Sequence, residues 1–204
     1  MLTEDWGHVG YQEAWDRQLV VVKRVQAGGE DTLILVEHPP VLTLGSRFQP
    51  ENLLLSERQY ASLGIDVIHT DRGGDVTYHG PGQLVIYPIF DIAQRGRDLH
   101  AWLRTLEQAM IDVCSSHGIA ARRFPPHTGA WIGNLKVAAI GIKVKSWVSM
   151  HGVALNCDND LAEFELIVPC GIKGYGVTSL TEASGRSIDV SAVRDSVVVR
   201  FRLV

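Results

Sequence analysis

Cysteine is scarce in this chain: 204 residues contain three, Cys114, Cys157 and Cys170, with no CxxC spacing. An odd, scattered set excludes a disulfide framework and a zinc knuckle, and it fits a reducing, cytoplasmic setting. Long hydrophobic runs are also missing. The longest, around Leu84–Ala93, is broken by Asp91, and a spanning helix requires about 20 apolar residues. The opening Met1-Leu2-Thr3-Glu4-Asp5 is acidic and has no apolar core, so no secretory signal is expected. Positive charge is not in excess, the formal net charge being −4, which argues against broad nucleic-acid binding. Neither GxGxxG nor GxxxxGK[ST] occurs, so neither usual phosphate loop applies. Eight histidines form no HExxH or Cys/His cluster with ligand spacing, and no metal site is expected.

What is present is ordinary globular material. Hydrophobic residues make up 46% of the chain, enough for a core without staples. No repeat, charge run or low-complexity linker divides it, so one domain over residues 1–204 is expected. Helices are predicted over Tyr11–Gln26, from the Ser56/Gln59 capping box to Gly64, over Leu99–Gly118 and over Asp189–Arg202. Strands are predicted at Thr32–Val36, Val41–Leu44, Ile65–His69, Leu84–Phe90, Trp131–Ile132, Lys136–Val144 and Trp147–Asn156. Strands outnumber helices without regular alternation. The expected class is α/β of the α+β type, a mixed, largely antiparallel sheet flanked by helices.

Three segments carry polar chemistry. Arg72 to Gln83 holds four glycines in twelve residues, together with Arg72, Tyr78 and His79, and reads as a loop. Such glycines permit close backbone approach to a ligand, and equally make ordinary turns. Pro169-Cys170-Gly171-Ile172 puts a cysteine on a constrained, glycine-rich stretch where a thioester could reach it. Cys114 falls on the apolar face of a helix and Cys157 at a strand end, both better suited to packing. A nucleophilic thiol needs help to ionise, since an ordinary thiol is mostly protonated at neutral pH. Strand alternation puts Lys136 on the face of Ala138, Ile140 and Ile142. There it could stabilise a thiolate as a cation or take the thiol proton as an amine. It could equally be a strand-edge lysine reaching water.

These motifs resemble the octanoyltransferases of lipoate biosynthesis, the lipoate–protein ligase B family. The resemblance runs from about Val9 to the last helix. It is carried by His38-Pro39-Pro40-Val41-Leu42-Thr43-Leu44-Gly45, Arg72–Gln83, Lys136–Gly141, Met150–Cys157 and Pro169–Ile172. It implies a fold like the catalytic domain of biotin and lipoate ligases, and no cofactor. It also implies that Cys170 holds the acyl thioester and that Lys136 lowers the thiol pKa. The acyl-substrate pocket would be lined by Arg72, Gly73, Gly74, Asp75, Val76, Thr77, Tyr78 and His79. Ala139, Ile140 and Gly141 would join it, with Gly152, Val153 and Ala154. The implied donor is octanoyl-acyl carrier protein. The implied acceptors are apo lipoyl domains of 2-oxoacid dehydrogenases and the glycine cleavage H protein. Phe124 to Trp131 departs from the family pattern.

Two other readings share these features. An ATP-dependent lipoate or biotin ligase also has a Gly-rich loop and a sheet lysine, but has no need of Cys170. A noncatalytic acyl-binding module would need neither Cys170 nor Lys136. Acidic protein partners would favour a basic rim, for which Arg122, Arg123, Lys143 and Lys145 are the candidates. His79 could polarise the thioester carbonyl or brace its loop.

Overall fold

The computed structural model describes residues 1–169 and 174–204. Its frame is a mixed, mainly antiparallel sheet with helices on it, as the sequence pattern implies. The strands are β1 (Leu2–His8), β2 (Thr32–Glu37), β3 (Val41–Leu44), β4 (Asp66–His69), β5 (Val76–His79) and β6 (Gln83–Ile89). They continue with β7 (Arg122–Phe124), β8 (His127–Ile132), β9 (Leu135–Lys145), β10 (Val148–Asn156) and β11 (Gly176–Val177). The helices are α1 (Tyr11–Gln26), α2 (Glu57–Ser62), α3 (Leu99–Ser116), α4 (Leu180–Ser184) and α5 (Val190–Phe201).

The large sheet runs β1-β2-β6-β10-β9-β8-β7, with β11 added parallel to β9. A small sheet, β4-β3-β5, packs apart from it. One face of the large sheet carries α3 and α5 over an apolar core that includes Leu35, Leu84, Leu106, Met110, Ala138 and Leu155. The other face carries α1, whose Ala14, Val21, Val22 and Val25 meet Val85, Tyr87 and Ala154. Apolar spacing sets the buried faces of both long helices. Asp98 and Asp189 accept amide hydrogen bonds at the first turns of α3 and α5, satisfying donors that the helix leaves open. The Ser56/Gln59 capping box is present at α2.

Three details depart from the sequence expectations. Arg72–Gln83 is not loop throughout, because Val76–His79 forms β5 against β3. β1 was not expected, its polar composition reflecting an edge position with mostly exposed residues. The alternation that would join Lys136 to Ala138 is interrupted by a shift in the β8–β9 register opposite residues 136–138. Consecutive Val137 and Ala138 then both enter the core under α3 and α5. A bulge has this effect, putting two residues of one strand opposite one of its partner. Lys136 lines a small cavity with Thr77, Ala139 and Ala154, and on another side a groove with Ile140 and Ile142. No helix among the described residues is long and apolar enough to cross a membrane.

Candidate active site

Between the small sheet and the α1-side face of the large sheet lies a cavity with about 460 Å3 of atom-free space, part of it open to solvent. Its floor is made of small residues on neighbouring strands. Ala139 pairs with Ala154, and Gly141 with Gly152, across β9 and β10. A side chain at either glycine would collide: a Cβ on Gly141 would lie 2.8 Å from the Gly73 carbonyl oxygen, and one on Gly152 would strike the Ile86 carbonyl. The Arg72–Asp75 segment closes over this floor, tied to it by a hydrogen bond from the Gly73 amide to the Ile142 carbonyl at 2.9 Å.

Of the residues picked out by motif, Arg72, Gly73, Gly74, Asp75, Thr77, His79, Ala139, Ile140, Gly141, Gly152, Val153 and Ala154 line this cavity. Val76 and Tyr78 do not. Successive β5 side chains face opposite ways, and these two enter a satellite core with Leu42, Leu44, Tyr60 and Phe164. Sequence reasoning overlooked Tyr11, Val85, Tyr87 and His151, which complete the lining. Tyr11, Tyr87 and His151 each put a polar ring within an apolar stretch, a signal visible only one residue at a time, and Val85 reads as an ordinary core residue.

The polar side chains around the cavity are buried and paired. Arg72 donates from Nε (3.1 Å) and Nη2 (2.8 Å) to the Thr43 hydroxyl, and from Nη2 to the Thr43 carbonyl. The Thr43 hydroxyl faces Nε2 of His79 at 3.3 Å, and Nδ1 of His79 lies 2.7 Å from Oε1 of Gln83. Gln83 donates to the Tyr78 carbonyl and to Oδ1 of Asn156, which leaves its Oε1 to accept from His79. Burial lowers the His79 pKa to about 3 and the His38 pKa to about 4. Both are neutral at pH 7. His79, the last residue of β5, is held at both ring nitrogens.

A second chain of contacts runs through His151. Nε2 of His151 donates to Oδ1 of Asp71 at 2.8 Å, and its Nδ1 lies 3.3 Å from the Tyr11 hydroxyl. Burial raises the Tyr11 pKa to about 12, so the phenol keeps its proton and donates. The hydrogen bond from His151 holds the Asp71 carboxyl below its usual range, while burial holds the imidazole below its own. His151 has φ 55 in the middle of β10, where its amide donates to Oε1 of Gln18 on α1. A left-handed residue within a strand turns its amide away from the ladder.

Lys136 sits at the opposite end. It is 8% exposed, with Nζ 4.9 Å from the centroid of the Trp131 ring. Trp131 belongs to an aromatic group with Phe124, His127 and Tyr175. Phe124, His127 and Trp131 come from the β7–β8 hairpin, and Tyr175 joins them from the residue before β11. Lys136 and Pro169 line a pair of adjoining small cavities, one of which shares Thr77, Ala139 and Ala154 with the main cavity. On another side Lys136 borders an open groove with Arg47, Leu99, Leu103, Pro126, His127 and Thr128. Cys170 itself, with Gly171, lies outside the described residues. Cys114 and Cys157 are fully buried, and burial pushes both thiols up, Cys114 to about 12. Neither is ionised at neutral pH. Among the described residues no cluster of His, Cys, Asp or Glu could hold a metal. Of the basic-rim candidates, Arg123 is engaged with the buried Glu107 carboxylate at 3.2 Å.

The lipoyl protein ligase A/B catalytic-domain model matches residues 10–202. The chain belongs to that family. An octanoyltransferase of Geobacter sp. (strain M21) is 45% identical over 202 residues, covering 99% of this chain and 96% of the relative. Among solved structures, lipoate-protein ligase A bound with ATP superposes with a TM-score of 0.82 at 16% identity, covering 99% of this chain and 84% of that one. Biotin protein ligase from Aquifex aeolicus gives a TM-score of 0.55 at 13% identity, covering 100% and 68%. The catalytic fold is therefore common to lipoate and biotin ligases, while the close sequence relative is a transferase.

Proposed function

We propose that this protein is an octanoyltransferase of lipoate biosynthesis, a single catalytic domain acting in the cytoplasm. It moves octanoyl from octanoyl-acyl carrier protein to a lysine of apo lipoyl domains, those of 2-oxoacid dehydrogenases and of the glycine cleavage H protein. The observation that carries this reading is a shared lining. Lys136 and Pro169, the residue before Cys170, border one cavity, and that cavity adjoins a slot floored by Ala139, Gly141, Gly152 and Ala154. Small residues leave room for an acyl chain, and Lys136 supplies a cation beside its reactive end.

In this mechanism the Lys136 ammonium favours the Cys170 thiolate. The thiolate attacks the thioester carbonyl and forms a new C–S bond. The carrier sulfur leaves and takes up a proton from Lys136. The acceptor amine then attacks the acyl-cysteine. Its surplus proton passes to Lys136 as the C–N bond forms, and Cys170 is released. Splitting the transfer lets two protein substrates use one site in turn. Backbone amides of the Arg72–Asp75 segment and of Gly171 are the candidates for stabilising the oxyanion.

The test is transfer without nucleotide. Octanoyl-carrier protein, apo lipoyl domain and this enzyme should yield an octanoylated domain by mass spectrometry in the absence of ATP. Lipoate-dependent ATP/pyrophosphate exchange, with no such transfer, would support the ligase reading instead. Reversible octanoyl binding with neither activity would support an acyl-binding module.

A further inference from the structure

The cavity has a direction that the sheet register fixes. On the floor, Gln83 pairs with Asn156 in a first row, and Val85, Ala154 and Ala139 form a second. Gly152 and Gly141 form a third, beside Tyr87. Lys136 shares one small cavity with the first and second rows, through Gln83, Asn156, Ala139 and Ala154, and the open groove on its other side reaches Ile140 and Gly141 but none of Tyr11, Tyr87 and His151. Tyr11, Tyr87 and His151 border the main cavity but neither of the cavities that adjoin Lys136 and Pro169. The slot therefore starts beside Lys136 and ends at these three rings.

Four strand residues separate the Asn156 row from the Gly152 row, about 13 Å. An extended chain advances about 1.25 Å per C–C bond, so eight carbons span about 9 Å. A thioester carbonyl near Lys136 thus puts the last methyl group of an eight-carbon chain about 4 Å short of the third row, a van der Waals contact distance from its wall. The wall there does not yield easily. The Tyr11 ring stacks on His79 at 5.8 Å and contacts His38 at 5.2 Å. Its hydroxyl is bonded to His151, and His38 is bonded in turn to the Tyr87 hydroxyl at 2.8 Å. A longer chain must break buried hydrogen bonds and leave their groups unpaired.

We infer that Tyr11, fixed by His151 and backed by His79, is the specificity-determining end stop that limits the length of the acyl chain this site accepts. The inference rests on the acyl-transfer reading above. The experiment compares kcat/KM for hexanoyl-, octanoyl-, decanoyl- and dodecanoyl-carrier protein in the unsubstituted protein and in Tyr11→Ala, with folding checked by thermal melt. Opening the wall should raise the dodecanoyl-to-octanoyl ratio at least about tenfold, the gain from accommodating two of the four extra methylenes at a few-fold each. Tyr11→Leu, which keeps more of the apolar volume, should move the ratio the same way by less, and it decides the matter if Tyr11→Ala does not fold. A ratio within about twofold of the unsubstituted enzyme in a folded variant overturns the end stop, even with octanoyl transfer intact. Failure of the unsubstituted enzyme to transfer any acyl group overturns the acyl-transfer reading itself.

Discussion

The two faces of the large sheet are built from the same strands but filled differently. Under α3 and α5 the space is taken by Leu, Ile, Val, Met and aromatic side chains that pack against one another. On the opposite face, where the small sheet meets β9 and β10, Ala139, Gly141, Gly152 and Ala154 leave space, and Arg72, His79, Tyr11 and His151 line it. One face obtains stability from close packing. The other packs under α1 but gives up packing beside the small sheet, where a hydrogen-bonded frame surrounds a cavity. A substitution should accordingly read out as stability on the first face and as activity on the second.

The largest expected effect is at the active end. Lys136→Met should lower octanoyl transfer by roughly 10²–10⁴-fold, the range for losing a positioned acid–base group. It should leave the melting temperature nearly unchanged, because an apolar side chain suits a buried position. The same variant should label more slowly with iodoacetamide at Cys170 near neutral pH. Equal labelling rates would remove Lys136 from thiol ionisation.

Next comes the packed face. Leu106→Ala, fully buried on α3, should cost about 2–5 kcal/mol of unfolding free energy. Denaturant titration measures this, and kcat/KM of the folded fraction should stay within about twofold. A large kcat/KM loss would blur the distinction between the faces.

The smallest effect is a pH dependence confined to the polar face. His38 and His79 have folded pKa values of about 4 and about 3, below the ordinary value near 6.5. The unfolded chain therefore binds protons that the folded chain refuses. Stability contributed by keeping these rings neutral is present in full above pH about 6.5 and is lost as pH falls toward 4 and 3. Two such rings give a slope of roughly 2–3 kcal/mol per pH unit below about pH 6. His79→Gln should reduce that slope by about half. Denaturation midpoints measured between pH 7 and pH 5 check it.

The sequence showed the frame where local signals and final packing agree. The apolar spacing of Leu99 to Cys114 and the glycines after α1 marked the long helices, and uninterrupted apolar runs marked β2 and β6. It missed β1, whose Thr3, Glu4 and Asp5 carry no apolar alternation because the strand is an edge held partly by ion pairs such as Arg24 with Glu4. It missed the phase change at Val137, since a bulge depends on the partner strand. In the site, the motif segments came together because glycine and alanine positions mark close backbone approach. Tyr11 and Tyr87 stayed hidden, each on an element that otherwise reads as core, since only the tertiary fold brings their rings to one wall. The role proposed for Cys170 comes from its sequence context and from the resemblance of its motif to the family, since Cys170 lies outside the described residues.

That role is the most direct point of attack on the whole account. The protein should be mixed with octanoyl-carrier protein without acceptor, its intact mass measured, and the modified peptide mapped. One octanoyl addition per chain is expected, located on Cys170, absent in Cys170→Ser and discharged when apo lipoyl domain is added. No adduct, or an adduct on Cys114 or Cys157 with Cys170 unmodified, would contradict it.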